Sequence, residues 1–183
     1  MFALIVIGVD PSSTSTGYGV LEYGKRQSRY IDCGCIRPKS GQAFEDRLVF
    51  IYERIQEVLR EYNPDESAIE STFFGKDADA AAKLGQARGV LLLALRQASL
   101  PIGHYSPAAV KKSVAGNGRA TKERVQFMVA RTLGLRELPK SLDASDALAI
   151  ALCHLRRPEI ALQGHGKERR PEVEALLKRV VRR

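Results

Sequence analysis

The sequence predicts an α/β protein: three antiparallel strands, then further strands alternating with helices, in a mixed sheet with helices on both faces. Three observations carry this expectation. Residues 4–9 form an unbroken apolar run rich in β-branched side chains, as a buried central strand requires. Residues 18–23 and 29–36 read as two more strands, with Gly24-Lys25 supplying a hairpin turn. From Phe44 onward the apolar period changes from strand-like to helical.

The elements follow in order. In residues 44–62, Leu48, Ile51, Tyr52, Ile55, Val58 and Leu59 share one face while Glu and Arg occupy the other, and Asn63-Pro64 ends the helix. Residues 67–70 make a short strand ending in a carboxylate. Residues 77–98 form a long helix rich in Ala and Leu, with Gly85 and Gly89 along it. Residues 101–105 are a further strand, and a helix opens near Ser106-Pro107. Residues 121–133 and 143–155 are helical. Residues 164–170 are rich in charge and glycine and read as a linker, followed by a short basic segment that is either helical or disordered. The expected organisation is one domain over 1–157 and a basic, flexible tail over 158–183.

A chain of 183 residues suits one ordinary domain, and 44% hydrophobic with 27% charged residues is a soluble globular composition. The apolar start is too short for a signal peptide or a membrane span, so a cytoplasmic, non-membrane protein is expected. Three cysteines cannot all pair within the chain, and Cys33 and Cys35 have no second ligand pair nearby, which argues against a disulfide framework or a zinc site. The net charge of +8 points to an anionic partner. Residues 151–183 hold nine Lys or Arg against four Glu, so much of the excess lies in the tail. Within the body, residues 104–131 carry Lys111, Lys112, Arg119, Lys122, Arg124 and Arg131 against Glu123 alone. Nucleic acid is the partner this favours; a solvated helix face is the plainer alternative.

The chemistry rests on where acids sit. Asp10 ends the first strand, Glu70 ends another, and Asp143 and Asp146 open the last helix. The i, i+3 spacing puts the last two on one helical face, about 5–6 Å apart between Cβ atoms. Each admits a purely structural role: Asp10 as a turn former before Pro11, Asp143 as an N-cap, Glu70 as a strand-end charge. Together they are harder to explain that way, because three apolar elements each deliver carboxylates to an end where the fold gains nothing from them. If they converge, two such charges at about 4 Å repel by about 4 kcal/mol at an effective dielectric near ~20. Divalent cations are the natural remedy. Magnesium favours hard oxygen ligands, and a pair of ions can clamp a phosphodiester between attacking and leaving oxygens.

At this point the residues resemble a known family. Gly8-Val9-Asp10-Pro11 followed by Thr16-Gly17-Tyr18-Gly19-Val20 is similar to the opening of the RuvC Holliday-junction resolvases. So are Ala68-Ile69-Glu70, the Leu84-Gly85-Gln86-Ala87-Arg88-Gly89 block and Asp143-Ala144-Ser145-Asp146-Ala147-Leu148. The similarity runs in order over about residues 4–155. It implies an RNase H-like fold, a homodimer, and paired magnesium- or manganese-dependent nicks in strands of like polarity at four-way DNA junctions during recombination and repair. By position it implies that Asp10, Glu70, Asp143 and Asp146 are the catalytic, metal-holding acids, with two ions per site. It places Lys111 and Lys122 near the scissile phosphate, with Lys112 beside them as a further DNA-binding candidate. Phe73 matches an aromatic that stacks on unpaired bases; packing into the core is the alternative. The resemblance also implies cooperation with a RuvA–RuvB branch-migration motor. Ser12 departs from the family's usual glycine, and Ser71 from a common glutamine.

A two-fold junction calls for a two-fold dimer, and the helix over 77–98 is the candidate interface, with Gly85, Ala87 and Gly89 permitting close approach. A helix buried only in its own core is the alternative. Three competing functions remain open from sequence: an actin-like ATPase or sugar kinase, suggested by Asp10-Pro11-Ser12-Ser13-Thr14 before Gly17; a nuclease for RNA–DNA hybrid or linear DNA; and a non-catalytic DNA-binding module.

Overall fold

Alternation along the first strand decides which side chains face which layer. The structure, a computed structural model, describes residues 3–24, 27–71, 77–157 and Ala175. It contains strands β1 (Leu4–Asp10), β2 (Thr16–Gly24), β3 (Gln27–Ile36), β4 (Glu66–Glu70) and β5 (Ile102–Tyr105). The helices are α1 (Phe44–Tyr62), α2 (Ala78–Gln97), α3 (Pro107–Ala115), α4 (Lys122–Leu133) and α5 (Leu142–Leu155). The strands make one five-stranded sheet in the order β3-β2-β1-β4-β5. The β1–β2 and β2–β3 pairs are antiparallel, and β1–β4 and β4–β5 are parallel, as the mixed sheet anticipated.

Ile5, Ile7 and Val9 of β1 point to one face, where they join Ile51 and Ile55 of α1 and Leu91 and Leu95 of α2. Leu4 and Val6 point to the other, where they meet Val110 of α3, Val129 of α4 and Leu148 and Leu152 of α5. Both faces of β1 are covered, which explains why its sequence is apolar throughout rather than alternating. The first two strand pairings extend further than the apolar patterns indicated: β2 begins at Thr16 because Gly17 pairs with Asp10 across the ladder.

Local chemistry sets the helix ends. Asn63 closes α1 in the left-handed conformation at φ 42°. Side chains of Asp77, Ser106, Thr121 and Ser141 accept N-terminal amide hydrogen bonds of α2, α3, α4 and α5 respectively. Among the described residues, no helix is long and apolar enough to cross a membrane. The three cysteines are free thiols, Cys33 and Cys35 on β3 and Cys153 in α5.

The last helix lies unusually close to the sheet, and glycines make that possible. A Cβ added to Gly8 would overlap the Ala147 carbonyl, and one added to Gly19 would lie 2.7 Å from the Leu148 amide. Gly8→Ala is therefore expected to destabilise the protein by about 1–3 kcal/mol, read as a lower urea midpoint at an unchanged slope. A midpoint equal to the parent's would show that α5 does not sit where the structure has it.

The expectations for the Gly24-Lys25 turn, for Phe73, and for the tail over 158–183 lie outside the described residues, wholly or nearly so. The two faces of α2 differ. Ala87, Leu91, Ala94 and Leu95 are buried in the core, whereas Gly85 and Gly89 face open space and Leu93 is 53% exposed. Ala87 thus belongs to the inner face and not to the free one.

Candidate active site

The two faces of the sheet decide where its terminal carboxylates point. Val9 pairs with Ile69 in the parallel β1–β4 ladder, so the residues that follow, Asp10 and Glu70, end adjacent strands together. Val9 and Ile69 pack on the α1–α2 side. One residue further, Asp10 and Glu70 lie on the opposite side, the side of Val6, Ala68 and α5. The amino end of α5 closes over the same strand ends, because a Cβ on Gly17 would overlap the Asp143 carbonyl. Glycine at 17 is what lets the helix that carries Asp143 and Asp146 reach Asp10.

Electrostatics records the convergence. Asp10 has its pKa raised from 3.8 to about 8, first by burial and then by the charges of Glu70, Asp146 and Asp143, against the opposing pull of Lys122. Glu70 is raised from 4.5 to about 7, by burial first and Asp146 next, with Lys122 and Lys111 opposing. Burial also raises Asp146, while its hydrogen bond to Lys122 lowers it. Burial pulls the Lys122 ammonium down, but Asp146, Asp10 and Asp143 together hold it above its ordinary value. The four predicted acids therefore share one basin. Among the described residues, no group of three or more His, Cys, Asp or Glu is placed so that it could hold a metal ion as it stands. The structure has a basin of repelling carboxylates rather than a finished cage.

Lys122, the first residue of α4, is the cation within it, 2.8 Å from Asp146 and 4.0 Å from Asp143. Lys111 of α3 acts on Glu70 and Asp146 from further away. Lys112 is exposed on α3, about 100° around the helix from Lys111. The structure thus brings Lys122 and Lys111 to the acids and leaves Lys112 outside them.

Some neighbours of the basin carried no clear signal in the sequence. Ser141, and not Asp143, caps α5: its Oγ accepts the Asp143 amide at 3.2 Å. The purely structural role open to Asp143 is thereby taken by another residue. The Ser15 hydroxyl donates to Asp143 Oδ2 at 2.6 Å. Arg37, just past β3, donates to Ser15 Oγ and to Ser141 Oγ, each at 3.2 Å. The hydroxyl-dense loop is itself organised by Ser12, whose Oγ accepts the amides of Thr14 at 3.2 Å and Ser15 at 3.1 Å. The departure from glycine at 12 therefore helps to shape the loop that presents Ser15. From α2, Arg88 donates to the Glu70 carbonyl at 3.0 Å and to His104 Nδ1 at 2.9 Å, which ties the helix to the ends of β4 and β5. Arg88 lies in the Leu-Gly-Gln-Ala-Arg-Gly block, whose composition no strand or helix pattern explained.

Four carboxylates without sulfur or imidazole make a hard oxygen set, suited to magnesium or manganese rather than zinc. The raised pKa values of Asp10, Glu70 and Asp146, caused first by burial and then by neighbouring carboxylates, are the observation that fits a divalent cation, because the nearby lysines do not bring them back to their ordinary values.

Residues 6–154 match the family model described as crossover junction endodeoxyribonuclease RuvC. The crossover junction endodeoxyribonuclease RuvC of Shewanella sp. (strain MR-4) is 46% identical over 167 residues, covering 90% of this chain and 95% of the relative. That of Pelotomaculum thermopropionicum is 43% identical over 151 residues, covering 82% and 92% respectively. The solved structure of T. thermophilus RuvC in complex with a Holliday junction substrate superposes with a TM-score of 0.76 at 37% identity, over 82% of this chain and 92% of that one. With a family model matched over residues 6–154, relatives 46% identical over 90% of the chain and a shared fold, the chain belongs to the RuvC family of crossover junction endodeoxyribonucleases.

Proposed function

We propose that this chain is a structure-selective endonuclease that resolves Holliday junctions by paired, metal-dependent nicks in strands of like polarity during recombination and DNA repair. The observation that carries the proposal is the convergence of Asp10, Glu70, Asp143 and Asp146 on one basin, in a fold shared with a relative solved on junction DNA. In this reading the four acids hold magnesium, or manganese in its place, as two ions per site. Held by Asp10, Glu70, Asp143 and Asp146, such ions would supply Lewis-acid stabilisation of the phosphodiester.

The remaining roles belong to the chain's own side chains. Lys122 offsets part of the acids' charge at rest and turns to a phosphate oxygen of the DNA once the acids are otherwise balanced. Lys111 keeps positive potential over Glu70 and Asp146 and so draws the scissile phosphate toward them. Lys112, outside the basin, contacts the backbone further along. Phe73 stacks on bases opened at the crossover, a role supported by its place three residues after Glu70.

The proposal extends to assembly. A homodimer matches the junction's two-fold symmetry, with the free face of α2, including Gly85, Gly89 and Leu93, as its surface. RuvA–RuvB is the proposed partner complex, the cytoplasm the proposed location, and residues 1–157 the proposed catalytic domain, with 158–183 a basic tail.

The test is to incubate the protein with a labelled mobile junction in magnesium or in chelator, beside linear duplex, RNA–DNA hybrid and ATP. Symmetric nicks confined to the junction and to magnesium are expected. Preferential cutting of the hybrid or linear duplex, or ATP hydrolysis without nicking, would replace this reading with one of its rivals. Binding should also be steeply salt-dependent. The slope of log affinity against log salt is expected to be about −0.9 per neutralised phosphate, and Lys112→Ala should lower its magnitude by about one contact. An unchanged slope in that variant would remove Lys112 from the interface.

A further inference from the structure

We propose that Ser15 and Arg37 form a positioning relay that sets the orientation of Asp143, turning one carboxylate oxygen away so that the other faces the metal basin. The inference rests on the reading of Asp143 as a metal ligand, and it concerns two residues that the four-acid pattern does not include.

Hydrogen-bond polarity fixes the direction of the relay. A guanidinium has donors only, so Arg37 Nε, 3.2 Å from Ser15 Oγ, must donate to it. That occupies the acceptor side of the hydroxyl and leaves its single proton for Asp143 Oδ2, 2.6 Å away. A short hydroxyl–carboxylate bond of this kind is charge-assisted. The other carboxylate oxygen, Oδ1, is the one that faces Lys122, at 4.0 Å. Asp143 is thus held by one oxygen and presents the second to the basin.

The same guanidinium also reaches the backbone of this residue. Arg37 Nη2 donates to Ser141 Oγ at 3.2 Å, and Ser141 Oγ accepts the Asp143 amide at 3.2 Å. The Cys35 thiol lies 3.2 Å from the same hydroxyl. Arg37 therefore bridges the β1–β2 loop and the cap of α5, bracing Asp143 at its side chain and its amide. Thr16 Oγ1, which donates to the Ser12 carbonyl at 2.5 Å, and Ser12 Oγ, which accepts the Ser15 amide, keep the loop from drifting. Partners of this kind, one bond removed from a ligand, fix its geometry before an ion arrives.

Simple electrostatics predicts the opposite behaviour for Arg37, and the experiment uses that difference. If Arg37 acted only as a nearby positive charge, removing it would tighten cation binding. A relay predicts weaker binding. The measurement is manganese affinity by paramagnetic resonance of the free ion, without DNA, for the full chain and for Ser15→Val, Ser15→Thr, Arg37→Met and Asp143→Asn. Ser15→Val and Arg37→Met are each expected to weaken manganese binding by about tenfold or more. Ser15→Thr, which restores the hydroxyl on the same shape as valine, should bind as the parent does. The double variant Ser15→Val/Arg37→Met should be little weaker than the worse single one, because both act on the same carboxylate. Because Val and Thr have nearly the same shape, a loss of folding would affect both and could not separate them. Equal affinity for the Val and Thr variants, or tighter binding by Arg37→Met, would overturn the relay. Parent-like binding by Asp143→Asn would instead overturn the assignment of that residue as a ligand, and the relay with it.

Discussion

Asp10→Asn and Asp146→Asn are each expected to lower junction cleavage by about a thousandfold or more while junction affinity stays within a few-fold of the parent's. The size of the effect follows from the chemistry assigned to the basin. Metal-assisted stabilisation of a phosphodiester transition state contributes several kcal/mol, and each 1.36 kcal/mol or so is a factor of about ten in rate. An amide has nearly the shape of the carboxylate it replaces but lacks its charge, so the fold is preserved and an anionic oxygen donor is lost. Affinity should hold because DNA binding depends on lysines and arginines facing phosphates, and removing a negative charge does not weaken that attraction. Single-turnover cleavage alongside gel-shift titration in calcium separates the two quantities. Cutting at parental rates would remove the residue from the catalytic set, and parallel loss of binding and cutting would point to a structural role.

The second large effect is on stability. In the metal-free protein Asp10 titrates near 8 instead of 3.8, and Glu70 near 7 instead of 4.5. A folded-state pKa above the unfolded one means that the native state holds the proton more tightly. The associated stability is complete below pH ~4 and is lost as the pH rises through about 8. Over that window the loss is on the order of a few kcal/mol, each of which shifts the melting temperature by about 2–4 °C in a chain of this size. In chelator, Asp10→Asn should therefore gain on the parent in melting temperature as the pH rises from about 5 to 8.5. Magnesium should reverse the order by binding the native parent. Melting curves for the two proteins that stay parallel across this range, in chelator and in magnesium, would show that the acids do not repel one another.

Much of this was legible in the sequence because periodicity and burial are local signals. The apolar period of α1 and its stop at Asn63 correspond to the observed helix, and the unbroken apolar run of β1 corresponds to burial on both faces. The four acids stood out because each stood at one end of an apolar element. The contacts that brace them were not legible for an equally physical reason. Ser15 and Asp143 are 128 positions apart, and Arg37 and Ser141 are 104 apart, so no window of sequence contains either pair. The sequence left a capping role open to Asp143, and the backbone conformation instead puts the cap two residues earlier, at Ser141. The inward turn of Ala87 and the outward turn of Gly85 and Gly89 likewise depend on the exact roll of α2 against α1. Glycines 8, 17 and 19 resembled a family pattern without a stated cause; their cause is the close passage of α5.

The central claim, that acids distant in sequence gather to hold divalent ions, has a direct measurement. Titrate the protein with manganese in the absence of DNA and count bound ions by resonance of the free ion, for the parent and for the double variant Asp10→Asn/Asp146→Asn. Saturable binding by the parent, abolished in the double variant while its fold is retained, is the expected result. Equal stoichiometry and affinity in the two proteins would contradict the claim.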